Sequence, residues 1–159
     1  MSSSDRRPLP NTPVSTRISQ TSNNRLGAVY SALYSFWLTR QGAIGTGAAR
    51  RDAYSIILFQ SSATVALRND FTSSPEELLN VALRYQSTGG TNYEAALKSA
   101  QTVMTESWST ERYGRSRVIN GLLAYIKFRI PVLVFLSDGE CQVDDQVVQD
   151  VALAAVRLG

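Results

Sequence analysis

The sequence predicts an α/β domain with a mostly parallel sheet, and three observations lead there. Apolar residues switch between helical spacing and short continuous runs in the order helix, strand, strand, helix, helix, strand, helix. The run Pro131 to Ser137 (PVLVFLS) is short, continuous and apolar, the pattern of a central parallel strand covered on both faces. The runs at 53–59 and 63–67 are separated by only Gln60, Ser61 and Ser62, so they must be antiparallel neighbours. With 159 residues, 43% of them apolar, the chain is long enough for one domain with a real core.

Residues 1–24 are rich in Ser, Thr, Asn and Pro and read as a disordered tail, which leaves 25–159 as the domain. Leu26, Val29, Tyr30, Leu33 and Trp37 fall three and four apart and predict a helix from Arg25 to Arg40, with Asn23 and Asn24 as candidate caps. Three glycines between Gln41 and Ala49 predict a loop. The run Ala53 to Phe59 predicts a buried strand, and Ala63 to Leu67 its partner. Ser74-Pro75-Glu76-Glu77 opens a helix: a capping serine, a proline in the first turn, then acids at the positive end of the helix dipole. Leu78, Leu79, Ala82 and Leu83 follow on one side. After Thr88-Gly89-Gly90-Thr91 a longer helix is expected from Asn92 to Ser107, with Leu97, Ala100, Val103 and Met104 inward. Gln146 to Leu158 closes the chain as a helix using Val147, Val148, Val151 and Ala155.

Charge and composition exclude several function classes. The net charge of +3 comes from one segment, Gly114 to Ile130, which holds four bases and no acid; outside it acids outnumber bases by one. One basic stretch is not the spread footprint that nucleic-acid binding needs. There is no histidine, which removes the commonest general base and zinc ligand. The single cysteine, Cys141, can form neither an internal disulfide nor a zinc cluster, and it reads as an inert thiol. No secretory or membrane-spanning segment is apparent, so a cytoplasmic, intracellular protein is expected. No glycine-rich phosphate loop follows a strand, and an enzyme is therefore the weaker alternative; no catalytic residue is assigned.

Three motifs in order carry a family resemblance: Arg51 to Phe59, Gly89-Gly90-Thr91-Asn92-Tyr93, and Leu136-Ser137-Asp138-Gly139-Glu140. Together they resemble the second strand, the threonine loop and the aspartate-bearing strand end of von Willebrand factor A (vWA) domains, closest to fungal intracellular members. The resemblance implies a doubly wound, Rossmann-like sheet, incomplete here, mostly parallel with one antiparallel edge hairpin. It implies a metal ion-dependent adhesion site in which Thr91 and Asp138 serve magnesium. Magnesium takes six oxygens in a tight octahedron. A carboxylate from a partner protein can be one of them, giving recognition without bond-breaking.

The chain departs from that pattern. The family's Asp-x-Ser-x-Ser segment has no counterpart: Val14 to Asn24 contains Ser15, Ser19 and Ser22 but no aspartate. Thr91 and Asp138 alone are too few to hold magnesium against its hydration, so the ion is expected to bind weakly or not at all. From the residues alone, Thr91 is equally a helix N-cap, Asp138 a turn residue, and Glu140, Asp144 and Asp145 solvated acids capping the last helix. Segment 114–130 reads as an atypical insertion, a retained intron or mis-set exon boundary: removing it joins Tyr113 to Pro131 as in a normal family junction. Alternatively, Leu122 to Ile130 makes a strand. The expected function is a non-enzymatic protein–protein interaction domain with an incomplete site; the alternative is a non-functional fragment of a longer protein. A missing first strand would leave backbone groups unpaired at about 1–3 kcal/mol each if buried. Set against a typical stability of about 5–15 kcal/mol, that implies a marginal or aggregating product.

Overall fold

Val14, Ile18 and Ser22 stand four residues apart, and that spacing folds the first described element. In the computed structural model, which describes residues 13–86, 89–109, 117–119, 122–124, 131–137 and 141–158, α1 spans Ser15–Thr21 and buries Ile18 completely. Residues 15–21 are thus helical where the sequence reading places tail. Two apolar residues among polar neighbours are a weak signal, yet they fall on one face and reach the core.

Helix α2, Arg25–Gly45, follows after a three-residue link. Asn24 caps it: the Asn24 Oδ1 accepts from the Gly27 N–H at 3.2 Å. Gly27 is required for close approach, since a Cβ there would lie 1.8 Å from the Ser22 carbonyl oxygen. The helix continues past Arg40 through Gly45, because nothing at 41–45 breaks its ladder; Thr46 N–H still donates to the Gly42 carbonyl. Leu26, Tyr30 and Trp37 are buried as their spacing requires, and Tyr34 joins them.

Strands β1 (Tyr54–Phe59) and β2 (Ala63–Asp70) form the expected antiparallel hairpin. Its register runs from Phe59 opposite Ala63 to Tyr54 opposite Asp70, with irregularities on both sides of Ile56. The second strand runs three residues beyond Leu67. Asn69 takes a φ of 50°, a conformation asparagine tolerates, and its N–H is received by the Ser55 hydroxyl at 2.9 Å. Helix α3, Pro75–Ala82, begins with a complete capping box in which Ser74 and Glu77 satisfy each other's backbone N–H. The core gathers α1, α2 and α3: Val14, Ile18, Leu26, Tyr30, Tyr34, Trp37, Leu78, Leu79 and Ala82, with Tyr54, Ile56 and Leu67 of the hairpin packed against them. Polar ties close its rim. Tyr34 donates to Glu76, and Arg17 makes an ion pair with Glu76 at 3.0 Å without hydrogen-bond alignment. Arg40 grips Asp52 with two hydrogen bonds, at 2.7 and 3.1 Å. Tyr30 donates to the Tyr85 carbonyl at 3.3 Å, and burial pushes its phenol pKa up to about 12.

Helix α4, Tyr93–Ser109, lies along both hairpin strands, where an Arg68–Glu106 ion pair links them. Within segment 114–130, Arg117–Ile119 (β3) and Leu122–Ala124 (β4) pair as a second antiparallel hairpin. Helix α5, Asp145–Leu158, packs on α4 and buries Val147 and Val151.

The central-strand expectation for Pro131 to Ser137 needs correction. The segment forms no strand, and Val132 and Val134 are 80% and 69% exposed. The physical reason is that a strand exists only through a neighbour's hydrogen bonds. Among the described residues β1 pairs only with β2, β3 only with β4, and both pairings are antiparallel.

Candidate functional site

Two loops and the described ends of a third segment meet beyond the C-terminal end of β1. Asn92, just before α4, holds two of them together: its side-chain nitrogen donates to the Ser61 carbonyl in the hairpin turn at 3.3 Å, while its Oδ1 accepts from the Ala95 N–H at 2.9 Å. Asn92 is therefore the residue that caps α4, a role the sequence also allowed for Thr91. Gly89 reaches the turn with a φ of +82°, which favours glycine.

A third segment brings its described ends, Ser137 and Cys141, to the same place. Asp138, together with Gly139 and Glu140, lies outside the described residues, but both of its flanks are placed. On one side, the Ser137 and Tyr93 hydroxyls share a hydrogen bond of 2.6 Å. On the other, the Cys141 thiol donates to the Thr91 carbonyl at 3.4 Å. The two contacts fall on Tyr93 and on Thr91, either side of Asn92, so the Gly-Gly-Thr turn and the end of the Pro131 segment are neighbours. Thr91 itself is exposed.

Beneath these contacts lies an aromatic cluster. Phe59 stacks on Phe135 with centroids 5.1 Å apart, and Tyr93 meets both edge-on, at 5.8 Å from Phe59 and 5.2 Å from Phe135. Phe59 ends β1, Tyr93 begins α4 and Phe135 lies within the Pro131 segment, so the cluster ties these three stretches to one another. Sequence reasoning quoted Phe59 and Tyr93 within motifs and Phe135 within the Pro131 to Ser137 run, yet gave them no joint role.

The acids after the site divide differently. Asp144 caps α5, accepting from the Gln146 N–H at 2.9 Å through Oδ1 and from the Val147 N–H at 3.0 Å through its carbonyl. Among the described residues no group of three or more His, Cys, Asp or Glu side chains is placed to hold a metal ion. Of the expected ligands, the described residues supply one neutral hydroxyl, Thr91, and the neighbouring Ser137 hydroxyl is engaged with Tyr93.

The family comparison settles the class. A model of the von Willebrand factor type A domain family matches residues 14–140, most of the chain. The chain belongs to the von Willebrand factor type A domain family. No curated protein and no solved structure matches it. The vWA match begins at Val14, so it takes in α1, which the sequence reading left outside the domain. It also spans the hairpin, the Thr91 turn and the segment up to Glu140. Membership of the vWA family, together with the mixed α/β architecture of the described elements, suggests a protein-interaction domain. No described helix is long and apolar enough to cross a membrane.

Proposed function

We propose that this vWA domain is a non-enzymatic protein–protein interaction module whose metal ion-dependent adhesion site is incomplete. One observation carries the reading: Ser137–Tyr93 and Cys141–Thr91 hold both flanks of position 138 against the Thr91 turn. In this reading Thr91 and Asp138 descend from a magnesium site. The sequence contains no Asp-x-Ser-x-Ser segment to supply the remaining oxygens. Magnesium then binds weakly or not at all, and a partner is recognised by the surface around the Thr91 turn, with a partner carboxylate as the ligand such a site would take. The absence of histidine and of a phosphate loop supports a non-catalytic role. The motif wording supports a fungal-type intracellular, cytoplasmic protein with neither nucleic acid nor membrane as its target. An incomplete Rossmann-like sheet, mostly parallel apart from the β1–β2 edge hairpin, is part of the same proposal.

A second reading, a non-functional fragment of a longer vWA protein, is favoured by the exposure of Val132 and Val134. Calorimetric titration with magnesium tests the first reading. The expected result is no saturable binding, equal for the natural chain, Asp138→Ala and Thr91→Ala. Saturable binding that both substitutions abolish would overturn the incompleteness and show a working site. Solution behaviour separates the two readings: a soluble species with one cooperative melt speaks for the module, and aggregated material without such a melt for the fragment.

A further inference from the structure

We draw no further inference here: the strongest candidate, the exposed apolar strip from Val132 to Leu136 with the groove it forms against α4 and α5, is an unpartnered apolar face, and nothing in the structure shows what covers it.

Discussion

Two parts of the molecule treat the same kind of residue in opposite ways. Around α1, α2, α3 and the β1–β2 hairpin, aliphatic and aromatic side chains are enclosed: Ile18, Leu78 and Leu79 are at most 1% exposed. Along Pro131 to Leu136 a run of equal hydrophobicity stands open, and it lines an apolar groove of about 280 Å³ with Leu97, Met104, Val148 and Ala155. The difference lies in the neighbours. A helix closes its own backbone hydrogen bonds and needs only a face to bury, so α2 and α3 pack as soon as α1 and the hairpin meet them. A strand's backbone is satisfied only from outside, and the Pro131 segment finds no pairing among the described residues.

The largest consequence of this contrast concerns substitutions that shrink or charge the two regions. Leu79→Ala empties a fully enclosed site and is expected to cost about 2–5 kcal/mol. Val134→Lys, by contrast, should change stability by less than about 0.5 kcal/mol, as at an exposed position away from special features. It should also raise solubility by breaking an uncharged, strand-prone run. Urea midpoints with light scattering check both. Equal losses at the two positions would erase the distinction between the regions.

Next in size is Gly27→Ala. The added methyl would sit 1.8 Å from backbone oxygen, which no rotamer change relieves, so the α1–α2 link must shift. The expected loss is about 3 kcal/mol, at the upper end for overpacking. A midpoint unchanged from the natural chain would show that α1 does not pack on α2 as described.

Smaller still are the pH effects, which come from the enclosed half. Burial pushes the Asp70 carboxyl up, but hydrogen bonds from Ser73 and Thr72 outweigh it and hold the group below its usual value. Glu77 is held low by the Ser74 backbone and hydroxyl. Both contributions are present above the ordinary carboxylate range and are lost as pH falls through the lowered folded values. Tyr30 works in the opposite direction. Its phenol is raised from 10.0 to about 12, so its contribution is intact below pH 10.0 and fades as pH rises toward about 12. Melting temperatures against pH should fall at both ends, and Tyr30→Phe should flatten the alkaline side. An unchanged alkaline slope in that variant would remove Tyr30 from the account.

How much of this was legible beforehand follows the same division. The α3 start was readable because Ser74, Pro75 and Glu77 encode a cap locally, and the α2 face because its spacing repeats over several turns. The β1–β2 pairing followed from a loop too short for anything else. What required tertiary information was misread or missed. Helix α1 rests on Val14 and Ile18 finding a core built from other segments. The apolar run at Pro131 carries the same pattern whether or not a neighbour is there to pair with it. At the candidate site, Thr91 was visible as part of a motif, but the Phe59, Tyr93 and Phe135 cluster joins residues up to 76 positions apart and leaves no local mark. Asp138 lies outside the described residues, so its role stays with the proposal.

Hydrogen exchange followed residue by residue tests the central claim most directly, because it reads backbone pairing itself. The expected pattern is strong protection for amides inside α2 and α3, and exchange near the rate of unpaired chain for Val132 to Leu136. Protection of Val132 to Leu136 equal to that of Leu78 and Leu79 would contradict the account, since it would mean that this segment is a paired strand after all.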